Sequence, residues 1–580
     1  MSFDEAARPR LVARYEGEDT SVTTKRELNG WYSYAIAAEV FAVVGTGLFL
    51  PVTLEQLARE NGVLFSDRLT PCVEIPSSGN TDNARKSLSA RADGEDEKQC
   101  IVHFLGSDVT TASFAMYTLS AAVLCQAITL ICFSSFADHG PYRKKMLMTF
   151  AYIGSIVSGL FLFVGPSLYF LAPILVVFGV TSLGCSFTLL NAFLPLLVTN
   201  HEDNRKLEDE VEDFELEALN PDSTSVHRSS PEKLTRDLER SAKISSKGVG
   251  LGYAAAVSVQ VLSVIVLVIF SKTSIPKTSP TFPMRTILFF VGIWWATFSI
   301  PTFLWLRPRP GPPLPTQSKR PFQQTKLTTF MFYTRFSISS FWGTLKRAVR
   351  LRQVVIFLFA WFLLSDAIAT ISGTAVLFAR TELKMGTIAV ALLSITSITF
   401  GMIGAFAWPR VARYYSLQPK TVLICCVAMM EIIPLYGLLG FIPFIRSAGV
   451  GGLQKPFEIY PIGVLHGILM GGISSYARSV YAPLIPEGSE AAFFALYAVT
   501  DKGSSAVGPA LVGWIVDRAG TIRPAFIFLA ILVLLPGPLL WKLDMEKGRD
   551  DAARMVATGR RASGQGVALS DGFAEDDRSD

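Results

Sequence analysis

Arg307-Pro308-Arg309-Pro310-Gly311-Pro312-Pro313-Leu314-Pro315 interrupts a chain otherwise made of long apolar runs, and the fold is read outward from it. Proline fixes φ and lacks an amide donor, so this stretch resists helix formation and is expected to be extended. It opens a segment, 307–352, that holds ten basic residues and no acid. Before it lie apolar runs at 31–52, 109–133, 146–166, 168–198, 248–271 and 284–306. After it come 353–378, 385–408, 420–443, 457–484, 490–516 and 523–541. A bilayer core takes about 20 apolar residues per helix, and these runs are too long for barrel strands. The expectation is an all-α membrane protein of twelve transmembrane helices, in two six-helix halves joined by a basic linker.

Composition agrees. A chain of 580 residues would suggest three or four soluble domains, but 50% of this one is hydrophobic and 17% charged, with a mean hydropathy of +0.38. Soluble domains carry about 25% charge, so several water-soluble cores are excluded. The formal net charge of +5 is too small and dispersed for a nucleic-acid partner. The first thirty residues have no apolar core of the signal-peptide kind, so the first run is expected to direct insertion.

Lys and Arg concentrate in short cytosolic loops. The 307–352 segment and the loop with Arg143, Lys144 and Lys145 fall on one side, which places both termini in the cytosol. The expected organisation is a cytosolic segment 1–30, a first half 31–306, the linker 307–352, a second half 353–541 and a disordered tail 542–580. An amphipathic stretch at 341–352 suits the membrane surface. Within the first half, the non-cytosolic loop 54–108 contains Cys72 and Cys100, which a non-reducing lumen would allow to pair. The cytosolic loop 199–247 begins with Glu208-Asp209-Glu210, turns Ser-rich at Ser223–Ser230, and is expected to be disordered.

Charges inside apolar runs cost roughly 2.5 to 3.5 kcal/mol on insertion scales and are candidate functional groups. Glu39 lies in the first run, Asp366 in the seventh, Glu431 in the ninth, Arg478 in the tenth, and Asp501 with Lys502 in the eleventh. Asn191 marks a polar break in the fourth. Glu39 and Asp366 occupy equivalent places in the two halves, where each is a candidate to hold a proton or a substrate ammonium. The plain alternative for every one is a structural ion pair. The five histidines are scattered, and neither a Gly-x-Ser-x-Gly elbow nor a phosphate-binding Gly-x-x-x-x-Gly-Lys-Ser/Thr stretch occurs. No enzyme, metal or cofactor is expected.

Twelve helices split by a basic linker resemble the major facilitator superfamily of secondary transporters. Phe136-Ala137-Asp138-His139-Gly140-Pro141-Tyr142-Arg143-Lys144-Lys145 is similar to that superfamily's loop after its second helix, with Gly140 and Arg143 displaced by one position. There Asp138 would accept from a neighbouring helix end while Arg143 pairs across the cytosolic face in one conformation, a gate; a simple positive-inside loop is the alternative. Glu27-Leu28-Asn29-Gly30-Trp31-Tyr32-Ser33-Tyr34-Ala35 and Ile485-Pro486-Glu487-Gly488-Ser489-Glu490-Ala491-Ala492-Phe493-Phe494-Ala495-Leu496-Tyr497 resemble the fungal autophagy-related vacuolar amino-acid effluxers, the family of autophagy-related protein 22. That resemblance implies a monomeric carrier in the vacuolar membrane, releasing leucine and other neutral amino acids from autophagic breakdown to the cytosol, with protons as a candidate coupling ion. Glu39 or Asp366 would take the ammonium, and Lys502, Arg478 or a helix amino terminus the carboxylate. A receptor or scaffold on a transporter fold, and an exporter of drugs or iron chelators, are the competing readings.

Overall fold

The computed structural model describes residues 19–64, 70–72, 100–104, 106–202, 231–273, 279–312, 326–383, 385, 387–504, 508, 511–512, 514–515, 518 and 522–556. Helix α1 runs over Lys25–Glu60. It starts six residues before the first apolar run because Thr24 caps it, its side chain accepting the Glu27 amide at 3.2 Å. Between Phe41 and Phe49 the helix is loosened into π turns around Gly45-Thr46-Gly47. Such insertions recur at functional sites because they shift side chains off the regular helical path.

The first half continues with α2 (Thr111–Ala137), α3 (Tyr142–Leu160), α4 (Leu171–Thr199), α5 (Pro231–Ser271) and α6 (Phe282–Trp305). A linker helix, α7 (Lys326–Arg350), leads into α8 (Arg352–Thr381), α9 (Thr387–Tyr414), α10 (Pro419–Phe441, broken at Glu431), α11 (Ile459–Tyr481), α12 (Glu490–Ser504) and α13 (Ala525–Trp541). Among the described residues, nine helices are long and apolar enough to cross a bilayer, or ten if α13 and α14 (Met545–Val556), bent by 67°, count as one. The expected second span falls in α2, where only Tyr117–Phe133 passes as a shorter apolar helix, and the eleventh continues beyond the described part of α12. The full count of twelve is therefore not established.

Helix α5 joins the halves. It presents Gly248 to Trp31 and Gly252 to Glu39 on α1, while Gly250 receives the Phe406 ring from α9. Helices α9 and α11 close on each other at Gly404, Gly467 and Gly471, each lying where a Cβ would collide with backbone of the facing helix, while Gly401 makes room for the Tyr253 ring of α5. Without a water-driven force between spans, this close packing is what holds them.

Three expectations about the polar segments change. Disorder over 199–247 does not extend to 231–247, which forms the first turns of α5. Pro231 at a helix start favours the helix, and Leu238 and Ala242 bury one face of it. The acidic Glu208–Glu210 stretch and Ser223–Ser230 lie outside the described residues. The amphipathic stretch expected at 341–352 belongs to a longer helix, α7, which packs against α2 and α12. The loop after α1 folds into an antiparallel sheet, β1 (Val63–Leu64), β2 (Cys100–Phe104) and β3 (Ser107–Thr110), in the order β1-β2-β3. Cys72 and Cys100 form a disulfide there. In the tail, α14 is ordered and Arg549 reaches Asp237 of α5 at 3.4 Å.

The linker start is strapped down. Arg309, at φ +44°, donates to both oxygens of Glu27 at 3.0 and 2.8 Å and to the carbonyls of Asp19 and Ser21. Two residues on, the Gly311 amide donates to the Gly140 carbonyl and the Gly140 amide to the Pro312 carbonyl, each at 2.9 Å. Gly311 lies so close to the Asp138 carbonyl that no side chain fits.

Candidate functional site

A cavity of about 530 Å³ lies between the halves. Its walls are Val43, Gly47 and Val52 of α1, Ile371 and Val376 of α8, Val390, Leu393 and Ile398 of α9, and Ile462 of α11. These residues occupy the parts of their helices nearer the disulfide-bearing sheet. The π turns of α1 bring Val43 and Gly47 to the wall, so the loosened stretch shapes the cavity. Polar groups are few: Glu39, Tyr253, His466 and the hydroxyls of Ser372, Ser394 and Ser397. His466 contacts Ser397 through Nδ1 at 3.2 Å and Ser372 through Nε2 at 3.5 Å. An apolar chamber with a few directed polar groups is the form small-molecule sites take.

The base of the cavity is closed by contacts between the halves. The Tyr253 hydroxyl meets Ser474 of α11 at 3.3 Å. Arg478 of α11 donates through Nη1 to Asn191 Oδ1 of α4 at 2.7 Å. Its Nε is buried with no hydrogen-bond partner among the described residues, and Glu39, Tyr253 and Tyr497 are its electrostatic neighbours. A guanidinium with a donor to spare thus stands near a carboxylate beneath an apolar chamber.

Nearer the basic face, Asp138 accepts from the amides of Ala491 and Ala492 at the start of α12, at 2.7 and 2.9 Å, and from Arg143 at 2.9 Å. Arg143 also donates to Glu490 at 3.0 Å, and Glu490 accepts from the Gly488 amide at 2.9 Å. All three side chains are buried. Asp138 and Arg143 come from the first half, Glu490 and the helix end from the second, so the cluster clasps the halves together. One guanidinium faces two carboxylates away from water. Burial, reinforced by Glu490, pushes the Asp138 carboxyl up to about 7, against the pull of Arg143 and the two amides.

The other candidates are elsewhere. Asp366 does not line the cavity: it is buried and accepts from the Gly508 amide at 2.9 Å, tying α8 to the chain beyond α12. A glycine at 508 lets its backbone come within reach of that carboxylate. Asp501 accepts from Ser365 Oγ of α8 at 2.7 Å. Glu431 sits at the break in α10 with Oε2 buried and unpartnered among the described residues. The Lys502 side chain lies outside the described residues. Sequence reading missed Tyr253, His466 and Glu490 as site groups. A lone histidine or tyrosine in an apolar run carries no spacing signal, and Glu490 reads as an ordinary first-turn acid.

Two helical halves around a central chamber, clasped on one face, have the arrangement of the major facilitator fold. The structure of FucP, a major facilitator transporter in the outward conformation, superposes with a TM-score of 0.53 at 12% identity, covering 90% of this chain and 98% of that one. The human organic anion transporter MFSD10 gives 0.51 at 13%, covering 89% and 98%. The family described as "Vacuole effluxer Atg22 like" matches residues 23–553. Autophagy-related protein 22-1 of Phaeosphaeria nodorum is 64% identical, over 95% of this chain and 96% of its own length. Its counterpart in Sclerotinia sclerotiorum is 54% identical, over 94% and 93%. The chain belongs to the Atg22 family of vacuole effluxers and is a multi-pass membrane transporter.

Proposed function

We propose that this protein carries neutral amino acids, leucine among them, from autophagic breakdown in the vacuole lumen to the cytosol by alternating access. The observation that supports this best is Glu39 in the wall of a mostly aliphatic chamber, with the buried Nε of its electrostatic neighbour Arg478 beneath that chamber. A zwitterion with an apolar side chain needs that set. Glu39 takes the ammonium, the spare Arg478 donor takes the carboxylate, and Val43, Ile371, Leu393 and Ile462 cover the side chain. The basic face, with both termini, is cytosolic and the disulfide-bearing sheet is luminal, in keeping with positive-inside loops and a non-reducing lumen. With the clasp on the cytosolic side, the described conformation is the lumen-open one.

Protons moving down the vacuolar gradient drive the export if one leaves for the cytosol on the same crossing as the amino acid, held on Glu39 while the carboxyl's other oxygen still accepts from the ammonium. Leucine efflux from liposomes reconstituted with the protein tests both parts. Glu39→Gln and Arg478→Gln are each expected to raise the leucine KM by roughly tenfold or more, the scale of a lost charge-assisted hydrogen bond. Efflux indifferent to a pH gradient would remove the coupling, and unaltered kinetics in both variants would remove the site.

A further inference from the structure

A second, larger cavity of about 910 Å³ opens on the basic face, separate from the central chamber. Lys25 of α1, Arg236, Arg240, Lys243 and Lys247 of α5, and Arg413 of α9 line it, and Glu239 is the one carboxylate among the described lining residues. The four cations of α5 are spaced by four, three and four residues, so they form a single stripe along one side of the helix. Like charges at that spacing oppose helix formation, and here they converge with two further cations from other helices. Among the described residues, Lys25, Lys243, Lys247 and Arg413 make no ion pair with a carboxylate; Lys247 instead stands over the Tyr32 ring at 4.7 Å. A cavity of this size, walled by helices of both halves, is too large and too positive for a single carboxylate. It suits a compact ligand of several charges.

We propose that this vestibule binds a multiply phosphorylated anion, the headgroup of a polyphosphorylated inositol lipid or a soluble inositol polyphosphate. Clustered phosphates match converging ammonium and guanidinium groups, which bind them through short charge-assisted hydrogen bonds. A ligand held at once by α1, α5 and α9 also ties the first half to the second on the face that must part for release. The site depends on the transport reading only for its cytosolic sidedness, and its binding is measured without transport.

The full-length protein in detergent is titrated with inositol hexakisphosphate while its thermal midpoint is followed. In parallel, the reconstituted protein is assayed for association with phosphatidylcholine vesicles with and without phosphatidylinositol 4,5-bisphosphate. Saturable binding of either probe at low salt is expected, weakened roughly tenfold or more in Lys243→Gln/Arg413→Gln and largely restored in Lys243→Arg. Binding of vesicles alone identifies the lipid as the source, binding of the soluble probe alone the free anion, and either supports the site. The proposal is overturned if neither probe binds, if sulfate at equal ionic strength stabilises the protein as much, or if the double variant, eluting as the parent does on gel filtration, binds with unchanged affinity.

Discussion

Asp366 and Glu39 hold equivalent places in sequence, yet only Glu39 reaches the central chamber. The difference is set by what faces each of them. Glu39 packs its Cβ and Cγ against Gly252 and lines the cavity, whereas Asp366 accepts from the Gly508 amide away from it. A Cβ at 508 would collide with Thr370 Oγ1 and crowd Asp366. Gly508→Ala is therefore expected to cost about 1 to 3 kcal/mol by overpacking, read as a lower thermal midpoint. Asp366→Asn, which keeps an acceptor for that amide, is expected to leave the leucine KM within about threefold of the parent. A tenfold rise would show that Asp366 meets substrate after all. Arg309 gives a second residue-scale test. It is buried, bidentate on the fully buried Glu27, and removal leaves that carboxylate uncompensated. Arg309→Ala is expected to destabilise by about 3 to 5 kcal/mol, while Glu27→Gln/Arg309→Gln recovers part of the loss, as judged by midpoints in one detergent.

Among the elements, the start of α12 and the loop after α2 form the clasp, and its chemistry makes it responsive to pH. The groups facing Asp138 are Arg143, Glu490, the α12 amides and, as an electrostatic neighbour, Arg347 of α7. In the clasped form the Asp138 carboxyl is raised to about 7, whereas opened to water it returns to the ordinary range near 4. Clasping therefore takes up a proton between those limits. Acid on the basic face favours the closed clasp, and the advantage is lost as pH rises through about 7. Its equilibrium shifts by up to about tenfold per pH unit inside that window. Protection of the Ala491 and Ala492 amides against hydrogen exchange, corrected for intrinsic rates, is expected to fall from pH 5 to 8. Asp138→Asn should flatten the trend; a profile that rises with pH would reverse the assignment. This element was partly legible from the chain, because Asp138 and Arg143 stand in a short basic loop between two apolar runs. Glu490 was not, since it is 347 residues from Arg143 and nothing local marks it. The same holds for α5 and α7: helix-forming polar residues extend them, but a reading based on apolar runs stops where polarity begins.

At the scale of the molecule, hydropathy made the two-half plan legible, because a run long enough to cross a bilayer has few other destinations. The chamber was not legible. Val43, Leu393 and Ile462 look like any lipid-facing aliphatic until the helices are assembled. What the assembled structure adds is asymmetry. The Asp138–Arg143–Glu490 clasp, Asn191–Arg478 and Tyr253–Ser474 all join the halves on the basic side of the chamber, whose walls reach toward the disulfide-bearing sheet. For a substrate to leave on the basic side, all three contacts must part together, so weakening one of them should shift the balance between the two open forms. With the five free cysteines replaced, Val43→Cys is expected to react with a membrane-impermeant maleimide applied from the luminal side and to be protected from the other. Adding Glu490→Gln removes one charge-assisted hydrogen bond, worth about 1.5 to 3 kcal/mol, which corresponds to a population shift of roughly tenfold or more. Labelling from the luminal side should then fall and labelling from the basic side appear. If Val43→Cys instead reacts only from the basic side in the unmodified clasp, the chamber opens opposite to the reading here and the direction assigned to transport reverses with it.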